Sequence, residues 1–425
     1  MSTATLEHDL AVSAPSPAKV SPRALFFLVV VALATAASGF EDARLDVGDL
    51  LVHPYLLPIA LAFPFVFISD AKRLPRTILN WSILAGTIYA VALFNDPDAI
   101  SEFAKVSASA VTIITVALVA RDERALTLGT LGLALGVAFL SLRGMSEVES
   151  EAVGAMMLDV GNKNAFSLYA LPALLLAGHV WLSGRTRGLM RVTLMATILV
   201  TVVGIFSTGN RSGWLGTIMV GFLLMGRGKS ARTLGTLAVV GSLAYIGLTS
   251  LSSTAAFERK WEQTVEGNES DGKRLELFLG SMEVALENPV LGAGPEGLAM
   301  ELARKVDAPA RKVDSHNVIA YIAGALGIPL LLTFGALGIS LWVRVRQNLS
   351  VSAREAHGLL RQMILLWLMR GLFTREVLYT PTFCVGFGLI LGLCMEGGVW
   401  TREPAATDHQ PEPRPPASHL QSTLT

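Results

Sequence analysis

Runs of about 17 to 25 mostly apolar residues recur along nearly the whole chain, and each can cross a hydrocarbon core about 30 Å thick. In lipid the backbone must satisfy its own polar groups, and runs of this length do so as helices. The runs fall at residues 23–40, 50–69, 78–94, 103–120, 125–142, 164–182, 190–207, 212–226, 234–252, 316–343, 358–373 and 379–398. The expectation is an all-α polytopic membrane protein with about 12 transmembrane helices. Composition agrees: 52% hydrophobic and 16% charged residues is too apolar for a soluble chain of 425 residues.

The first run, within "SPRALFFLVVVALATAASGFEDA", also has the small-residue pattern of a signal-peptide cleavage site. We read it as the first membrane helix. The expected organisation is an N-terminal tail (1–22), transmembrane helices 1–9 (23–252), a long loop (253–315), transmembrane helices 10–12 (316–398) and a C-terminal tail (399–425). The Pro-rich, polar composition of that last tail predicts disorder. Cys384 and Cys394 fall in one predicted helix, about 15 Å apart along its axis and beyond disulfide reach. The zero net charge selects no partner and carries no nucleic-acid signature.

Alternate loops differ in character. "DAKRLPR", "ARDERA", "SGRTRGLMR", "GRGKSAR" and "VRVRQN" are basic, whereas "EDARLDVGD", "NDPDAISE" and "RGMSEVESEAVGAMMLDVGNKN" are mostly acidic. The positive-inside rule puts the basic set, and with it both termini, in the cytoplasm. The opposite, outer side then holds the long loop, whose length suggests a function or a small subdomain.

That outer side nevertheless carries Arg211, Arg259, Lys260, Lys273, Arg274, Arg304, Lys305, Arg311 and Lys312, with Arg370 and Arg375 flanking the last hairpin. Long loops tolerate charge on translocation, but Arg211 lies in a very short turn, "FSTGNRSGWLG". It admits two readings: an arginine snorkelling to headgroups, or an anion ligand whose guanidinium fork matches phosphate oxygens. Gly209 and Gly213 would permit a tight turn there. In the long loop, Leu275, Phe278, Met282 and Leu286 share a helical face, with Glu276, Glu283 and Glu287 off it. Such a helix lies on the membrane or packs over the bundle, with Arg274 near the bundle mouth. Asn288-Pro289 stops it, and Gly292, Gly294 and Pro295 mark a turn.

His316 stands where the long loop re-enters the membrane, in "KVDSHNVIAYIAGALGIPLLL". On pattern alone Asp314 or Ser315 caps the next helix and His316 is an ordinary first-turn residue. As a neutral imidazole among cations it is also a candidate general base toward a hydroxyl. No Cys/His cluster, HExxH, DxD or Walker pattern stands in place, so no catalytic metal and no cofactor is expected. A transporter would instead show ionisable residues in mid-span and an internal repeat; the chain has almost none of the first and no convincing repeat.

"GNRSGW" between two spans, then "ENPVLGAGPEG" in the long loop, then "SHNVIAYIAGALGIPLLL" entering the next span, resembles the O-antigen ligase and O-antigen polymerase superfamily over roughly residues 160–345. "GNKNAF", with Asn164, resembles a further family segment. The resemblance implies a GT-C type glycosyltransferase, inverting and metal-independent, with a periplasmic active site in the bacterial inner membrane. The donor is a glycan on undecaprenyl pyrophosphate, and in ligases the acceptor is a sugar hydroxyl of lipid A-core. The implied partners are these two substrates and membrane lipids, with no obligate protein partner. The roles implied are His316 as base and Arg211 and Arg274 as pyrophosphate ligands, with Arg370, Arg375, Asn164, Asp314 and Asn317 in support. Asp314, Glu276 or Glu283 is the alternative base, with His316 then hydrogen-bonding the acceptor. A ligase and a polymerase of O-antigen or exopolysaccharide remain alternatives, with ligase favoured.

Overall fold

A computed structural model describes residues 21–37, 45–47, 50–53, 55–94, 100–146, 163–208, 210–225, 241, 269–306 and 315–400. Helix α1 spans Pro22–Ala37. A short antiparallel hairpin follows, β1 (Leu45–Val47) against β2 (Leu50–Val52) with Leu45 opposite Val52. Then come α2 (Leu56–Asp70), α3 (Arg76–Leu93), α4 (Ile100–Val119), α5 (Glu123–Ser146), α6 (Lys163–Leu182), α7 (Gly188–Ser207) and α8 (Arg211–Met225). Two helices of the long loop, α9 (Glu269–Glu287) and α10 (Pro295–Val306), precede α11 (Val318–Leu326) and α12 (Ile328–Trp342). Helix α13 (Val351–Gly371), a 3-10 turn (Arg375–Leu378) and α14 (Pro381–Glu396) complete the described chain.

Among the described residues six helical segments are long and apolar enough to cross a membrane, and three shorter apolar helices accompany them. The protein is a helical membrane protein. Most expected spans coincide with a helix to within a few residues, with two corrections. The run at 50–69 is helical only from Leu56, because its first residues pair as β2 in a short hairpin appended to the helical fold. The run at 316–343 is two helices, broken at Gly327 (φ 90°). The run at 234–252, apart from residue 241, and the two tails lie outside the described residues, except for the few tail residues next to the bundle.

Packing separates an inner from an outer layer. Helix α6 is 83% buried over its spanning window and α3 only 22%. Leu57, Leu61, Phe65 and Ile68 of α2 form an exposed apolar face. Small residues set the closest approach: a Cβ on Gly388 would lie 2.6 Å from Val116 Cβ, and one on Gly392 would lie 2.1 Å from the Ala120 carbonyl oxygen. This glycine pair, four residues apart, lets α14 lie backbone-to-backbone on α4.

The break at Gly327 has a specific cause. The turn after α9 lies against it, donating from Ala293 N to Gly324 O (2.8 Å) and from Gly294 N to Ala325 O (3.0 Å), while Ile328 N donates to Pro289 O (2.9 Å). The last carbonyls of α11, which a helix end leaves without partners, are thereby satisfied. A Cβ on Gly292 (φ 72°) would fall 2.3 Å from the Ala325 carbonyl carbon, and one on Gly327 2.3 Å from Val290 O. Only glycine fits both places, so the "NPVLGAG" and "GALGIP" motifs are two halves of one joint.

Helix α9 packs on both α10 and α11. Its buried residues include Leu277, Ser281, Val284 and Ala285, whereas Leu275 and Leu286 are exposed. A Cβ on Gly324 of α11 would lie 3.0 Å from Ser281 O, and one on Gly280 3.0 Å from Leu302 of α10. Small residues thus permit the close approach at both contacts.

Candidate active site

Two ends of the bundle can be told apart. One gathers the starts of α3, α5, α7 and α13. The other gathers the starts of α4, α6, α8, α11 and α14 with the ends of α5, α7 and α13, and most of the residues singled out in the sequence lie there.

Arg211 is the first residue of α8. The preceding Asn210 acts as its N-cap: Oδ1 accepts from Ser212 N (3.1 Å) and Ser212 Oγ (2.8 Å), and its carbonyl accepts from Gly213 N (3.0 Å). Asn210 Nδ2 donates to Ser167 Oγ of α6 at 3.0 Å. Gly213 is not a turn residue as expected. It sits inside α8, where a Cβ would meet Ser167 Cβ at 3.0 Å and Ile205 Cγ2 at 3.2 Å, so it serves helix packing. Gly209 lies outside the described residues.

Ser167 also accepts from Arg370 Nη2 at 3.0 Å. Arg370 ends α13 and is completely buried. Its Nε and Nη1 have no hydrogen-bond partner. The same end of α13 touches α11: a Cβ on Gly371 would lie 2.5 Å from Val318 Cγ1, and Asn317 Nδ2 reaches Leu372 O at 3.5 Å. One buried hydroxyl thus joins the Arg211 turn to the helix end beside His316.

The cap of α11 is Asn317, whose Oδ1 accepts from Ile319 N (2.9 Å) and Ala320 N (3.0 Å). This corrects the expectation of Asp314 or Ser315 as cap and of His316 in the first turn. Ser315 instead donates to Asn317 O (3.3 Å), and Asp314 lies outside the described residues. His316 precedes the cap with φ 48°, the only non-glycine residue at positive φ among those described. That backbone costs on the order of 1–2 kcal/mol.

Arg375 stacks over the Tyr321 ring at 4.6 Å. Tyr321 donates to Glu102 Oε1 (3.0 Å), and Lys105 stands 3.9 Å from the same carboxylate. Glu102 is a buried acid at the start of α4 that the sequence reading missed. Its signal was an ionisable residue at the edge of an apolar run. Asn164 falls in the first turn of α6.

Arg274 is exposed on α9. Ser281 lies against Gly324 and Pro289 against Ile328, so α9 and α11 run in the same direction. Seven residues back from Ser281 is Arg274 and seven back from Gly324 is Asn317, about 10 Å along each helix. Arg274 and His316 therefore share an end of the bundle. Lys305 of α10 hydrogen-bonds Glu283 of α9, which raises the lysine above its ordinary pKa and engages that carboxylate. Among the described residues no group of three or more His, Cys, Asp or Glu could hold a metal ion.

Fold and site together define a helical membrane protein with arginines and a histidine gathered at one end of its bundle. Residues 196–335 match the O-antigen ligase family, so the superfamily resemblance seen in the sequence is borne out over a segment that contains Arg211, Arg274 and His316. No curated protein matches the chain.

Proposed function

We propose that the protein is an O-antigen ligase, a GT-C type glycosyltransferase of the bacterial inner membrane with its site and long loop (253–315) on the periplasmic side and its termini in the cytoplasm. It transfers a glycan from undecaprenyl pyrophosphate to a sugar hydroxyl of lipid A-core, inverting the anomeric centre. The observation that carries this reading is that one family-matched segment holds Arg211, Arg274 and His316.

The chemistry follows from the residue types. The acceptor hydroxyl attacks the anomeric carbon as the bond to the pyrophosphate oxygen breaks. Its proton passes to His316, and the negative charge growing on the leaving group is held by the guanidinium forks of Arg211 and Arg274. Direct inversion requires no covalent intermediate. The left-handed backbone at His316 favours this role, because strain of that kind gathers at functional positions. Arg375, Asn164, Asp314 and Asn317 support the site, Asn317 by fixing the start of α11.

The test is a lipopolysaccharide gel from cells that lack their own ligase and make an acceptable donor glycan, supplied with wild type or His316→Ala at matched expression. A full ladder on lipid A-core with wild type alone supports ligase and catalytic His316. An equal ladder with the variant removes His316 as base. Lengthening of carrier-linked glycan without a core ladder, in cells lacking polymerase, converts the reading to polymerase.

A further inference from the structure

Arg370 is the most costly side chain in the described bundle. It is fully buried near the end of α13, and its guanidinium makes one hydrogen bond, to a neutral serine. Two of its three nitrogens have no acceptor. Glu376 is near enough to act on it electrostatically, yet no carboxylate among the described residues forms an ion pair with it. A buried cation without a counter-ion is strongly unfavourable, and in membrane helices such residues are kept for function. If Arg370 served only to tie α13 to α6, one uncharged donor to Ser167 would do the same at lower cost.

The open nitrogens also lie at a telling position. Arg370 shares Ser167 with Asn210, the cap of the helix that begins at Arg211. Its helix end touches α11 just after His316. Arg211 and His316 are both partly exposed, whereas Arg370, at the same end of the bundle, is fully buried.

We propose that Arg370 is the inner phosphate ligand of this site and sets its preference for a diphosphate over a monophosphate carrier. This rests on the reading that the donor is a lipid-linked diphosphate and deepens it. One phosphate meets Arg211 and Arg274. The second enters far enough to accept from the unpartnered N–H groups of Nε and Nη1, which lie on different edges of the guanidinium and each make a single charge-assisted hydrogen bond. A carrier with a single phosphate leaves one set of donors empty. The free protein therefore holds an unmatched buried charge that the correct ligand neutralises.

The experiment uses the full chain in nanodiscs and measures binding and ligand-induced thermal stabilisation, with no glycan present. The probes are undecaprenyl diphosphate, undecaprenyl monophosphate, inorganic pyrophosphate, and nanodiscs with or without phosphatidylglycerol. Wild type is expected to prefer the diphosphate carrier by tenfold or more, and pyrophosphate should compete with it. Arg370→Met should lose that preference while its ligand-free form unfolds at the same or a higher temperature. Retained preference in Arg370→Met overturns the proposal. So does equal protection of wild type by phosphatidylglycerol alone, which would make the ligand a lipid headgroup. If Arg370→Met does not fold, Arg370→Lys decides: a weakened diphosphate preference supports the site, and an unchanged one overturns it. A failed lipopolysaccharide ladder with the diphosphate preference intact would sink only the ligase reading.

Discussion

At one end of the bundle Arg73 pairs with Glu396 at 2.6 Å, Arg121 with Asp70 at 2.8 Å, and Arg185 with both Glu123 (3.0 Å) and Glu355 (2.7 Å). At the other end Arg370 is buried more deeply than any of these and has a single serine hydroxyl. The loops of the first end are rich in arginine and would attract attention on charge alone. Arg73, Arg121 and Arg185 are nevertheless matched within the fold and clamp helix ends that are far apart in sequence. The second end holds a cation that the fold does not match. An arginine's counter-ions are thus a better guide to function than its frequency.

Substitutions can break or sharpen this contrast. The largest expected effect is at His316: His316→Ala should lower transfer by about 10²- to 10⁴-fold, measured as core-linked glycan at equal expression. His316→Gly relaxes the backbone yet should be equally inactive, so recovery there would make the strain rather than the imidazole the important feature. Next, Arg211→Ala should cost about 10²- to 10³-fold in kcat/KM. Arg211→Lys should recover only part, since a point charge cannot replace the fork; full recovery would argue for simple headgroup contact. At the paired end Gly392→Ala should destabilise by about 1–3 kcal/mol, because its Cβ meets carbonyl oxygens that cannot yield. Thermal unfolding would show this, with transfer per folded molecule unchanged. Smallest of all, Arg185→Gln should cost no more than about 1 kcal/mol, shrink further in salt, and leave transfer intact. A large loss of transfer there would erase the distinction between the ends.

The helices were legible in the sequence because apolar length is a strong constraint in lipid. What the pattern missed depends on backbone contacts between distant segments. In "AGALGIPLLL" Gly327 and Pro329 are marks of a possible break that the apolar run overrode, and the turn at residues 289–294 is what fixes the break at Gly327. On α9 the spacing picked out the large apolar residues, whereas the contact with α11 runs through the Ser281 backbone, which spacing does not mark. At the site, Arg211, Arg274 and His316 stood out as charged or titratable groups in unusual places. Ser167, Asn210 and Glu102 did not, because each acquires meaning only through a partner: Arg370 across 203 positions, Ser167 across 43 and Tyr321 across 219. Asn317 was named for its neighbourhood to His316, and its capping role emerged only with the hydrogen bonds it accepts.

The joint between the turn at residues 289–294 and the end of α11 has a mechanical consequence. Three backbone hydrogen bonds and two glycines without room for a side chain fasten the loop to the end of α11, which starts just after His316, and to the start of α12. This part of the loop cannot swing as a lid on a free hinge. Any movement of α9 must carry α11 with it, so that pressure from a bulky acceptor against the loop would be felt at the histidine, as force on one arm of a lever is felt at the other.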